Sequence, residues 1–379
     1  MAPRTKTDED VSGHSLRHAV LFAVGLRVVY ALAALALGGN LTADPRLLRG
    51  NDFTDHLMSR GHPLAYALLG VWERFDTLWY LHIAQAGYDR QAAIVFYPLY
   101  PALIHALSWV VHPPLAAALA ISTAAAFFFA WGLEELISLD YPSGTAVRAT
   151  VLLAVWPSSF ILFAGYADSL VMALSVWSLY YARTDRWGLA GVLGFFAGSA
   201  KAVGAVAAVP LGWLAWRKRR RECWTAVLPL AAPAAFSLWI RKAGYGSSAA
   251  AYASHWRTHV AWPWKTLADS VRSFFATPPH LILQLNLIFL VLACGLLLVR
   301  RLRMEYRLYA VASLTLFLTK NTDPLLQSTM RYVLAVFPSF IALAIVLEKR
   351  HASMIGVCTF LALIDAVVLY EFWRWSLLV

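Results

Sequence analysis

Residues 72–101 read WERFDTLWYLHIAQAGYDRQAAIVFYPLYP. Glu73, Arg74, Asp76, His82, Gln85, Asp89 and Arg90 sit there among aromatic side chains, and Pro98 and Pro101 close the stretch. On either side the chain is apolar enough to dissolve in a bilayer. Interfacial loops also carry aromatic belts, but a membrane protein that keeps so many ionisable groups between two hydrophobic blocks usually uses them for chemistry or recognition. Composition alone leaves the two readings level.

The surrounding chain sets the class. Its 379 residues are 60% hydrophobic and 14% charged, with a mean hydropathy of +0.60. Apolar runs of roughly 15 to 22 residues recur along the whole length, each near the thickness of a hydrocarbon core. The expectation is a single all-α polytopic membrane domain over 1–379. A net charge of +11 would suit nucleic acid if it formed one face. Instead the basic residues cluster at the ends of apolar runs: 217–221, Arg300, Arg301 and Arg303, and Lys349 with Arg350. That is the pattern of cytoplasmic anchors against anionic membrane lipid, so no nucleic-acid partner is expected. Cys223, Cys294 and Cys358 are far apart and read as buried or inert thiols, with no disulfide or metal spacing.

The first apolar run, His18 to Gly38, reads as a retained span with a cytoplasmic N-terminus. Its ALAALALGG also offers a signal-peptide reading, which the run's length and the apolar chain beyond it oppose. Arg27 inside it snorkels or faces the bundle. Residues 39–94 form a large first extracytoplasmic loop, in which Leu64, Leu68 and Trp72, with Val71 and Phe75 beside them, predict an interfacial helix with its apolar side toward lipid. Glu134-Glu135 reads as a helix end, and the Asn40-Leu41-Thr42 sequon carries no weight. Further runs fall near 95–112, 115–137, 146–164, 168–183, 187–201, 202–216, 222–242, 280–299, 306–320, 329–347 and 352–372. With the basic clusters inside, parity puts 39–94, Tyr166, Asp168, Lys201 and a second loop, 243–279, outside only if one run does not cross. Run 95–112, opened by Pro98 and Pro101, is that run. About 11 spans result, with the C-terminus outside.

The order of residue types resembles the PIG-V family of membrane mannosyltransferases, which add the second mannose to GPI anchors, and their bacterial relatives among the GT-C glycosyltransferases. The family's Trp-Asp-Gly/Ala, aromatic pair, Ile-Ala, Gly-Tyr and Phe-Pro-Leu-Tyr-Pro is matched here by Phe75-Asp76-Thr77, Trp79-Tyr80, Ile83-Ala84, Gly87-Tyr88 and Tyr97-Pro98-Leu99-Tyr100-Pro101. Further matches are Trp156-Pro157-Ser158-Ser159-Phe160 with Tyr166-Ala167-Asp168-Ser169-Leu170, then 186–191 with Ala200-Lys201, then Ser328-Thr329-Met330-Arg331-Tyr332 with Phe337-Pro338. Each is weak alone; four in family order over 72–340 are fairly specific. Phe75, Thr77, Asp168 and Lys201 stand where relatives carry Trp, Gly or Ala, Glu and Arg. Charge is kept at the ionisable positions, so the departures imply an active site suited to another acceptor. The compact chain shows no ER retention signal, which favours a bacterial plasma membrane and argues against a GPI acceptor.

The resemblance implies a GT-C type bundle and an inverting transfer, of mannose first of all, from a polyprenyl- or dolichyl-phosphate sugar donor to a lipid or glycan acceptor outside the cytoplasm. Such chemistry needs a carboxylate near the acceptor hydroxyl and positive charge near the leaving phosphate. Asp76 is the expected base, although without the resemblance an ion pair with Arg74 or a helix cap would come first. Asp168, Trp79, Tyr80, His82 and Tyr88 are expected to position acceptor or sugar; for His82, as for Asp52, Asp55 and His56, a solvated loop is the bland alternative. Arg331 and Lys201 are expected at the donor phosphate, against helix-end snorkelling and an internal ion pair. No metal and no cofactor are implied. A secondary transporter or flippase, and a non-catalytic scaffold, remain open: Arg27 and Asp365 would serve the first as mid-span ionisable groups.

Overall fold

A computed structural model of the chain describes residues 6–37, 41, 48, 51–55, 57–59, 61–218, 221–275 and 281–376, without the side chains of 6–12, 221, 223, 281 and 282. Asn40, Thr42, His56, Arg219 and Arg220 lie outside the described residues. Helix α1 (Lys6–Val20) runs through a π-helical turn at Leu21–Gly25 into α2 (Leu26–Leu37). Then come α3 (Pro63–Leu68), α4 (Asp76–Ala86), α5 (Leu99–Leu107), α6 (Pro114–Ser138), α7 (Ser143–Ala154), α8 (Asp168–Arg183), α9 (Trp187–Ala200), α10 (Ala208–Lys218) and α11 (Leu228–Lys242). The last third holds α12 (Ser248–His255), β1 (Thr258–Val260), α13 (Pro263–Phe274), α14 (Leu281–Leu296), α15 (Met304–Leu318), β2 (Lys320–Thr322), α16 (Thr329–Ala335), α17 (Pro338–Val346) and α18 (His351–Trp373).

The fold is mostly helical, and among the described residues three helices are long and apolar enough to cross a membrane: Gly13–Leu37, Pro114–Ser138 and His351–Trp373. The pair α16 and α17, bent by 86°, makes a fourth if counted as one. Leu21, Val24, Val28 and Leu32, and Ile355, Phe360, Leu363 and Val367, turn outward and stay exposed. Apolar outward faces of this length suit hydrocarbon better than water, and membrane association follows.

Several apolar runs are broken helices, and proline explains most of the breaks. Pro157 ends α7 early, because the residue before proline avoids the α region; the chain resumes as a 3₁₀ turn at Ser159–Phe163. Pro338 separates α16 from α17. Pro98 and Pro101 leave α5 only 9 residues, about 13 Å at 1.5 Å per residue, too short to cross alone. Run 187–216 breaks at Lys201, whose backbone is extended (φ −164°). The chain folds back so closely there that a Cβ on Gly204 would lie 2.1 Å from the Ala197 carbonyl carbon.

Two ends of the bundle carry charge. α8 begins at Asp168 and ends at Arg183. At the Arg183 end, its guanidinium grips both Asp140 oxygens at 2.7 Å and Glu305 at 2.9 Å, while Arg303 reaches Asp140 at 2.7 Å. This buried network ties α6, α8 and α15 together. At the Asp168 end, β1 and β2 pair antiparallel, Thr258 opposite Thr322, and clip the second loop onto the segment before α16.

The mostly helical fold agrees with the all-α expectation, to which β1 and β2 add three residues each. Two other expectations change. The stripe Leu64, Leu68, Trp72 does not share one lipid-facing helix: α3 stops at Leu68, Leu64 and Leu68 stay exposed, and Val71 and Trp72 turn into the core. Glu134 and Glu135 do not cap a helix end. They sit inside α6 and hold α1, Glu134 against His18 at 3.0 Å and Glu135 accepting from Ser15 at 2.6 Å. Cys294 on α14 is exposed and Cys358 is half-buried, and both are free thiols.

Candidate active site

The two helices that open with aspartate start the site. Asp76 is the first residue of α4 and Asp168 the first of α8, where the positive end of each helix dipole favours a carboxylate. Phe75 turns the chain into α4 with φ +47°, a region L residues avoid and surrounding packing must enforce. Phe372 and Trp375 pack on its ring at 5.6 and 5.4 Å. The two segments approach through Gly165, where a Cβ would meet Thr77 Cγ2 at 2.5 Å. Threonine at position 77 is accommodated by glycine across the contact. Gly165→Ala is therefore expected to cost about 1–3 kcal/mol by overpacking, and Thr77→Ala in the same chain to recover most of it; thermal unfolding in detergent reads both.

Arg331 joins the acids. Its Nη2 donates to Asp168 Oδ2 and forms an ion pair with Asp76 Oδ2, each at 2.7 Å, while Nε donates to Asp168 Oδ1 at 3.3 Å. The guanidinium lies over the Tyr166 ring, 4.4 Å from its centre. Lys201 donates to the same Asp168 Oδ1 at 2.7 Å. Ser328, with φ +64°, turns the chain into α16, and Trp156 Nε1 donates to the Met330 carbonyl at 2.9 Å, so the second motif fixes the backbone beside Arg331. Asp76, Asp168, Lys201 and Arg331, named from four separate stretches, form one network.

The network borders a cavity of about 450 Å³. Asp76, Trp79, Tyr80, Lys201 and Arg331 line it, whereas Asp168 lies behind the wall. The Asp76 side chain keeps 23% of its surface exposed and Asp168 only 5%. Asp76 is the acid that a bound molecule can reach. Asp168 is the anchor that holds the cations.

The remaining expectations divide. Asp76 pairs with Arg331, while Arg74 bonds to the carbonyls of Trp373 and Gly70 at 3.0 Å each. His82 and Tyr88 are not brought to the cavity wall: His82 stacks on Phe53 and meets Asp89 at 2.9 Å, and the Tyr88 hydroxyl donates to the Phe96 carbonyl at 2.8 Å. Asp52 lines the cavity rim and meets His255 at 3.3 Å. Burial pushes the Tyr97 hydroxyl up to about 12, so this wall residue is a neutral hydrogen-bonding group.

Arg27 and Asp365 have structural employment. Asp365 accepts from the Ser158 backbone N–H at 2.8 Å. Arg27 donates to the Phe163 carbonyl at 2.7 Å and to Thr123 Oγ1. They satisfy the two ends of the 158–163 segment, a short 3₁₀ turn between α-helices whose unpaired polar groups a bilayer interior tolerates only when they find partners.

Sequence reasoning missed Tyr252, His255, Trp256 and Lys320, which line the cavity from the clip. For the first three the only signal was the unusual length and polarity of 243–279; Lys320, beyond that loop, had none. Among the described residues no group of three His, Cys, Asp or Glu side chains converges as metal ligands would. No protein-family model matches the chain, and no curated protein does either.

Proposed function

We propose that this chain is an inverting membrane glycosyltransferase that moves a sugar, mannose first of all, from a polyprenyl-phosphate donor to a hydroxyl of a lipid-linked or cell-envelope acceptor outside the cytoplasm. The observation that carries this reading is the convergence of Asp76, Asp168, Lys201 and Arg331 at one aromatic-walled cavity. In this reading Arg331 holds one oxygen of Asp76 and the other oxygen takes the acceptor proton. The acceptor oxygen bonds to the anomeric carbon as that carbon's bond to the phosphate oxygen breaks, and the electron pair leaves with the phosphate. Lys201 and Arg331 add positive charge where the leaving group becomes more negative. Trp79, buried and stacked on Phe96 at 5.5 Å with Trp256 at 5.3 Å, stiffens the aromatic wall against which the sugar would lie.

A transporter would use mid-span ionisable groups for its cargo, and the strongest two, Arg27 and Asp365, are committed to backbone. Purified protein incubated with labelled polyprenyl-phosphate mannose and a membrane lipid extract tests the transferase reading. Label should move into a new lipid or glycan species; label that stays on the donor with every extract would sink it.

The cavity end of the bundle is proposed to face outside, opposite the Arg183 end. In a cysteine-free background, His259→Cys on the exposed clip should react with an impermeant maleimide in intact cells. Arg300→Cys, at the end of α14's turn, should react only after permeabilisation. The reverse pattern inverts the topology and removes lipid-linked donors from consideration.

A further inference from the structure

The cations of the cavity are not equivalent. Arg331 faces two carboxylates and Lys201 faces one. Arg257 is exposed at the rim. Lys320 is half-buried in the wall, and among the described residues no carboxylate lies within ion-pair distance of it. Its ammonium donates to the Tyr252 hydroxyl at 3.3 Å and lies over the Tyr252 ring at 4.7 Å. The Tyr332 ring is 5.4 Å from Lys320 Nζ and 5.6 Å from Lys201 Nζ, so two ammonium groups flank one ring. Ring faces attract a cation but do not neutralise it. The Tyr252 oxygen accepts from Lys320, which leaves its own proton free to point at a further acceptor.

We propose that Lys320, with the Tyr252 and Tyr332 hydroxyls, is the anion-binding centre of the cavity and takes a phosphate carried on an apolar chain. The positive charge, the hydroxyl donors and the adjoining apolar wall of Val203, Leu316 and Phe317 match such a ligand. This rests on the transferase reading and assigns the donor phosphate to a residue from the clip. Lys320 follows α15 directly and pairs with Val260 across the two strands, so strand pairing fixes where the ammonium points. Arg331, already divided between Asp76 and Asp168, then positions the acid and adds its charge to the leaving phosphate second to Lys320.

The test is direct binding by the detergent-purified full chain, read from quenching of Trp79 and Trp256 in the cavity wall. A short polyprenyl phosphate, the polyprenol of equal length and inorganic phosphate are titrated separately. Wild type should bind the lipid phosphate at least about tenfold more tightly than the alcohol, as a hydrogen bond to a charged group implies. Lys320→Met should lose about that preference, Lys320→Arg should keep most of it, and the unfolding midpoint of Lys320→Met should hold, since no ion pair is broken. Unchanged affinity of Lys320→Met for the lipid phosphate overturns the proposal, and so does a wild type indifferent between phosphate and alcohol. Inorganic phosphate bound as tightly as the lipid phosphate overturns the lipid assignment. A Lys320-dependent phosphate preference in a protein that transfers no sugar supports the anion site and sinks the transferase reading alone.

Discussion

In the Asp76→Asn protein, donor binding survives and sugar transfer falls at least about 100-fold. Asparagine keeps the size of the side chain and one oxygen for Arg331, but its amide cannot take a proton from the acceptor. General bases contribute about 10²- to 10⁴-fold, and the lower figure is the floor because Arg331 also loses a charged partner and reorients. Asp168→Asn has a different signature. That residue lies behind the wall with Arg331 and Lys201 on it, so its loss lowers the unfolding midpoint as well as the rate. Transfer rate and thermal unfolding, measured side by side in both variants, separate a base from an anchor. A folded Asp76→Asn protein with near wild-type transfer would remove Asp76 from the chemistry.

Arg331→Ala carries the largest expected loss of stability. The guanidinium is buried and stands between two carboxylates at 2.7 Å each. Its removal leaves acids facing one another with Lys201 alone to compensate Asp168. Breaking a buried pair from one side costs about 3–5 kcal/mol, because the remaining charge is uncompensated. Arg331→Lys keeps the charge but not the fork that serves both acids, so it should recover only part. Denaturation in mixed micelles reads both variants. Replacing the buried set together, Asp168→Leu, Lys201→Met and Arg331→Met, should recover most of the stability without restoring transfer, since exchanging a whole buried ion network for packed apolar groups is often neutral or better. An Arg331→Ala protein as stable as wild type would show that the network contributes nothing to the fold.

Much of the fold was legible because hydrocarbon-length apolar runs and proline are strong signals. Run 168–183 is α8, and run 352–372 differs from α18 by one residue at each end. The prolines at 98, 101, 157 and 338 mark places where helices stop or bend. The candidate acids and cations were legible only through the order of residue types: Asp76 and Arg331 are far apart in the chain, and no period or spacing links them. The cavity's other wall was not legible. Two three-residue strands carry no usable alternation, so neither their pairing nor the arrival of Tyr252, Trp256 and Lys320 could be read. His82 and Tyr88 share the motif's stretch, but α4 turns His82 toward Asp89, and past the end of α4 the Tyr88 hydroxyl reaches the Phe96 carbonyl.

The most direct test of the account follows the anomeric carbon itself. Polyprenyl-phosphate mannose labelled with ¹³C at that carbon is mixed in excess with purified wild type and an acceptor fraction, and the carbon's signal is recorded through a single conversion. A single displacement assisted by Asp76 predicts that the phosphate-linked signal disappears as one product signal of opposite anomeric configuration grows in. A product of retained configuration, or a donor signal unchanged with every acceptor fraction, would contradict it.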